Sequence, residues 1–154
     1  MKYKSRIIIN NGDRKGQSLV ETALFFTIIV ILLGGAVDLG RAFFSFIAIR
    51  DGAQEGATYG SLNPDDTSGI ESRVRGSSTN PVNLADTTNV AIAVSWSDVT
   101  NKCSFTINAG EPHTITVTVT YQFRFVSPLL DSLSGTTISL PATITHAILY
   151  PPCA

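Results

Sequence analysis

The sequence predicts an α+β fold: a long N-terminal α-helix, transmembrane in its first half, packed on a small antiparallel β-sheet of about four strands. Three observations predict it. An uncharged apolar run, Thr22 to Val37, follows a basic start. Apolar residues then recur at three- and four-residue steps to about residue 60, as on one side of a helix. From residue 88 the period changes to two, the alternation of strands with one wet and one apolar face.

At 154 residues the chain has room for one domain plus an anchor. Its net charge of −1 hides an uneven distribution. Residues 1–16 carry Lys2, Lys4, Arg6, Arg14 and Lys15 against Asp13 alone, while the remainder holds 6 basic and 11 acidic residues. A basic front followed by an apolar run predicts a cytoplasmic N-terminus and a C-terminal domain across the membrane. Nucleic acid is not an expected partner, because no Lys/Arg patch follows residue 50.

A span needs about 20 mainly apolar residues, and Gln17–Val37 meets that length. Glu21 stands at its start, where a carboxylate near the bilayer interior costs a few kcal/mol and marks a functional candidate. Ser18-Leu19-Val20-Glu21 also fits a capping box, in which Ser18 and Glu21 would satisfy first-turn amides. The same carboxylate would oppose the helix dipole there. The helix is expected to run on past the span. Asp38 and Arg41 stand three residues apart, the spacing of a helix-surface ion pair. Asp38 would lie roughly 32 Å along the axis from Gln17, close to the outer interface. Beyond it, Phe43, Phe46, Ile47, Ala53 and Ala57 recur at three- and four-residue steps, and the C-terminal half of the helix is the natural cover for the sheet's apolar face. Gly52, Gly56 and Gly60 form a thin stripe where another backbone could come close; loop flexibility is the plainer reading. A cleaved secretory signal is the rival for the whole region, with Gly34-Gly35-Ala36 as its small residues. The unbroken helical pattern past Ala36 argues against it.

Residues 61–87 are rich in Ser, Thr, Asn, Asp, Gly and Pro, which predicts loop with one short helix around Ile70–Arg75. Residues 88–154 then carry the sheet. Val90, Ile92, Val94 and Trp96 alternate with small residues, and Phe105 and Ile107 do the same. Ile115, Val117, Val119, Tyr121, Phe123 and Phe125 face one way against a Thr-rich row. The last run, ISLPATITHAILY, contains Pro141, which confines it to an edge or a bulge. Cys103 and Cys153 both follow the anchor, so an extracytoplasmic location would let them pair. The closed loop of about 50 residues would restrict the unfolded chain by roughly 4 kcal/mol. Two unpaired thiols are the alternative, and a free-thiol count on denatured, unreduced protein separates them.

The stretch RKGQSLVETALFF, followed by Asp38-Leu39-Gly40-Arg41 and Glu55-Gly56-Ala57, resembles the TadE-like family, pilin-like subunits of tight-adherence (Tad, or Flp) pilus systems. The resemblance covers roughly residues 14–60. It implies a leader of residues 1–16, cut by a prepilin peptidase between Gly16 and Gln17, and a helix over residues 17–60. Glu21, fifth in the cut chain, would meet the new N-terminal amine of a neighbouring subunit. The implied partners are the bacterial inner membrane, the peptidase, the Tad assembly machinery and other pilin-like subunits, including further copies in a filament.

No enzyme is expected. His113 and His146 have no second metal ligand nearby in a recognised spacing, and no nucleophile or phosphate-loop motif occurs. Asp65-Asp66 reads as a solvated turn, not a calcium site, so neither metal nor cofactor is implied. Two alternatives to an assembly subunit stand. One is the principal repeating subunit of a filament, which would dominate the mass of purified fibres. The other is a membrane-anchored binding or adhesion module, which would tolerate Gly16→Lys and Glu21→Ala.

Overall fold

The computed structural model describes residues 13–97, 113–127 and 137–149, with side chains from Gly16 onward. Helix α1 spans Asp13–Leu62 and α2 spans Thr67–Gly76; strands β1 (Val90–Trp96), β2 (Thr114–Phe123) and β3 (Ile138–Ala147) follow. The architecture is α+β, a long helix against a three-stranded antiparallel sheet of order β1-β2-β3. The strand expected around Phe105–Ile107, and both Cys103 and Cys153, lie outside the described residues.

Alternation in the sequence becomes rows across the sheet. Val90, Tyr121 and Leu140 share one row, Ile92, Val119 and Ala142 the next, and Val94, Val117 and Ile144 a third. These rows face α1, and the middle strand is the most deeply buried, with Ile115, Val117, Val119 and Phe123 closed to solvent. Threonines occupy the other face, where Thr116 and Thr145 hydroxyls lie 2.9 Å apart and those of Thr118 and Thr143 3.0 Å. Pro141 pairs with Thr120 on β3, an edge of the described sheet where a missing N–H disturbs no further ladder.

The C-terminal half of α1 covers the apolar face of the sheet, as expected. Ala48, Ile49, Ala53 and Ala57 are buried in the core shared with the sheet and α2, whereas Phe43, Phe46 and Ile47, lower on the helix, are exposed. At about 100° per residue Phe46 and Ala53 lie on the same side of the helix, so what separates them is height along the axis: the domain covers Ala53 and leaves Phe46 bare. Small residues let the sheet and α2 sit close to the helix axis.

Helix α2 is held against α1 by Ile70 and Val74, both fully buried. Asp66 caps its N-terminus, accepting from the Gly69 amide at 2.8 Å and the Ser68 hydroxyl at 2.9 Å. The Tyr59 hydroxyl of α1 donates to the same carboxylate at 2.8 Å. At the far end, Arg75 donates to the Leu84 carbonyl at 3.2 Å and fixes the loop that inserts Leu84 into the core.

Candidate functional site

Among the described residues, the predicted cleavage, assembly, ion-pair and glycine positions lie on α1. Gly16 and Gln17 are joined by a peptide bond inside the helix, exposed, with open space around the Gly16 α-carbon. Ser18 is therefore interior to α1, and its carbonyl accepts from the Thr22 hydroxyl at 2.9 Å. The expected capping box does not form, because the helix already extends back to Asp13 and its first-turn amides lie earlier. Glu21 points outward from the apolar part of the helix, with no ion-pair partner among the described residues. The helix is long and apolar enough to cross a membrane, and none of its most apolar stretch is buried within the chain.

Asp38 and Arg41 pair at 3.3 Å, but that contact is the lesser part of the Asp38 environment. One Asp38 oxygen accepts from the Ser127 hydroxyl at 2.6 Å and the Ser127 amide at 2.9 Å. The other accepts from the Val126 amide at 3.1 Å. The residue is only 1% exposed. Arg41 meanwhile lies over the Phe123 ring, 5.3 Å from its centroid. The pair thus fastens the extended end of the middle strand to the helix directly above the apolar stretch. Ser127 is the residue that sequence reasoning missed. It lies 89 positions from Asp38, and nothing local marks it.

The glycine stripe is filled from within the chain. A methyl group on Gly52 would stand 2.6 Å from Leu84 Cδ1, and one on Gly60 2.5 Å from Ile115 Cδ1; on Gly56 it would overlap Val74 Cγ2. These are side chains of the chain's own α2, loop and β2, not the backbone of another helix. The sequence pointed to close approach at these positions, but the partner differs.

An open cleft of about 430 Å³ between α1 and α2 is lined by Asp51, Glu55, Ser72, Arg73, Gly76 and Ser77. Glu55 and Arg73 face each other at 3.7 Å, and Arg73 also lies over the Tyr59 ring. This is the pairing of a surface joint between two helices. Among the described residues no cluster of His, Cys, Asp and Glu could hold a metal ion.

Set against known proteins, residues 16–58 match the family model described as TadE-like protein. The match opens at Gly16 and takes in Gln17, Glu21, Asp38, Arg41, Gly52 and Gly56; Gly60 and the whole sheet lie beyond it. No curated protein and no solved structure gives a match.

Proposed function

We propose that this chain, TadE-like over residues 16–58, is a pilin-like membrane protein that takes part in assembling a Tad-type pilus. The observation that carries the reading is the coincidence of that segment with a helix whose most apolar stretch is long enough to cross a membrane and, among the described residues, is left uncovered. Such a surface is stable only in lipid or against other apolar helices. The role is structural; binding and packing, not turnover, are what these residues do.

In this reading the basic front end stays in the cytoplasm and the sheet domain stands outside the inner membrane. A prepilin peptidase cuts between Gly16 and Gln17. Glycine inside a helix costs about 1 kcal/mol relative to alanine, so Gly16 weakens the turn a protease must unwind. Once cut, the helix starts at Gln17, and Glu21 then lies in the first two turns, where its charge opposes the dipole. It also lies within reach of the amine of an adjacent subunit. The principal-subunit alternative loses one support, because the glycine stripe that would pack a fibre core is already filled by Leu84, Val74 and Ile115.

N-terminal sequencing of the membrane-associated protein tests the proposal. A chain beginning at Gln17, with Gly16→Lys leaving the leader attached, is the expected result. A chain beginning near Val37, or one with residues 1–16 intact in a working system, overturns it.

A further inference from the structure

We infer that the membrane does not end at Asp38: an apolar collar of Phe43, Phe44, Phe46 and Ile47, joined by Val126 from the sheet domain, is seated in the outer headgroup layer of the bilayer. The inference rests on the membrane-spanning reading above and adds where the membrane stops and what docks on it.

Polarity along this part of α1 is the reverse of a water-exposed helix. The side turned to the chain's own domain holds Asp38 and Ser45, both buried, and then Ala48. The side turned outward holds Leu39, Phe43, Phe44, Phe46 and Ile47, with Phe43 62% and Phe44 61% exposed. In water the apolar side is buried and the polar side exposed. Polar groups turned inward and aromatic groups turned outward are the arrangement of a helix in lipid.

The outward side changes character abruptly. Continuing up the same side, Arg50, Asp51, Gln54, Glu55 and Thr58 are all exposed. Between Glu21 and Arg50 the only charged residues are Asp38 and Arg41, and they pair with each other. Glu21 to Arg50 is about 43 Å of helix at 1.5 Å per residue. A bilayer with its headgroup layers is about 40–45 Å thick, and its hydrocarbon core about 30 Å. With Glu21 at the inner boundary, the hydrocarbon ends about 20 residues later, close to Arg41. The four collar residues then fall in the headgroup layer, where aromatic rings anchor spans.

Val126 supplies the second part. It is 69% exposed, and its amide is bound to Asp38, so it is held at the level where the hydrocarbon ends. The domain therefore sits on the lipid surface, with its polar Asp38–Ser127 joint sealed beneath it. A second copy of the helix is the competing occupant. At about 100° per residue, however, the collar covers an arc of about 160°, broader than the narrow seam one partner helix fills.

Depth-dependent fluorescence quenching tests this with the full chain in phosphatidylcholine–phosphatidylglycerol vesicles at high lipid-to-protein ratio. Single tryptophans are placed by Phe44→Trp, Leu32→Trp or Gln54→Trp in a Trp96→Phe background, with lipids brominated near the headgroup or near the chain end. Phe44→Trp should lose most of its emission to the shallow bromines, Leu32→Trp to the deep ones, and Gln54→Trp only to aqueous acrylamide. If Phe44→Trp behaves like Gln54→Trp while Leu32→Trp still reports depth, the collar is wrong and the span stands. If Leu32→Trp is untouched by bromolipid, the span fails and the collar with it. Shielding of Phe44→Trp from both quenchers that disappears on dilution with lipid assigns the surface to a second copy and overturns the proposal. Should Trp96→Phe fail to fold, Phe43→Trp with Trp96 retained gives the same reading by difference from the parent protein.

Discussion

Gly56 and Gly40 lie in the same helix, yet a methyl group added to each should act in opposite directions. Alanine is the better helix former by about 1 kcal/mol, which favours both substitutions equally. At Gly40 nothing stands within 4 Å of the new atom, so the gain is kept. At Gly56 the methyl overlaps Val74 Cγ2 and comes 3.5 Å from both Ile70 and Val117. Val74 is β-branched and fully buried on α2, so it cannot rotate away. Overpacking a rigid site costs about 1–3 kcal/mol and outweighs the propensity gain. Thermal unfolding in detergent should therefore show Gly56→Ala below the parent protein and Gly40→Ala level with it or above. Equal midpoints for the two would mean that α2 yields freely. At this scale the sequence was legible in part. A four-residue glycine spacing announces close approach but not by what, since Val74 and Leu84 are brought there only by a turn and a loop. Ser127, likewise, is one of many loop serines until the strand end delivers it to Asp38.

The joint between α1 and α2 depends on one carboxylate serving two elements. Asp66 caps α2 through the Gly69 amide and receives the Tyr59 hydroxyl from α1. The Gly69 amide first, then Tyr59 and Ser68, hold the Asp66 carboxyl below its ordinary range. The same hydrogen bond, with the nearby charge, pushes the Tyr59 phenol above its usual value. A carboxyl depressed in the folded state binds its proton more readily when unfolded. Its stabilising contribution is thus fully present above about pH 4 and is lost as the pH falls below that. Asn is an equally good N-cap without a titrating proton, so Asp66→Asn should trail the parent protein at neutral pH and converge with it toward pH 2. A gap in thermal midpoint that stays constant from pH 7 to pH 2 would show that the carboxylate charge plays no part. Turn composition and the Ile70–Arg75 spacing made α2 legible in advance. How far down α1 the sheet domain reaches was not, because the series from Phe43 to Ala57 repeats with helical period throughout. Which part of it meets the sheet is decided by side-chain size at the contact and by what surrounds the rest.

At the scale of the whole molecule, the exposed apolar helix and the folded domain make different demands. The domain buries Ile49, Ile70, Leu84 and Val117 together in its own core. The lower helix closes nothing, and Glu21 upon it has no charged partner among the described residues. Assembly through Glu21 follows if cleavage after Gly16 supplies an amine on a neighbouring copy at about the depth of that carboxylate. Breaking a charge pair in apolar surroundings by removing one member costs about 3–5 kcal/mol, about 100-fold or more in association. Glu21→Gln keeps the size and helix propensity of the side chain while removing its charge. The variant should therefore be inserted, cut to Gln17 and fold its sheet domain to the same thermal midpoint, but fail to enter pilus assemblies recovered from cells. Normal recovery of Glu21→Gln in those assemblies would reduce the carboxylate to a surface feature of the helix. Loss of the sheet fold together with assembly would instead trace the defect to insertion, because among the described residues no contact links Glu21 to the domain, which first meets α1 about 25 Å further along.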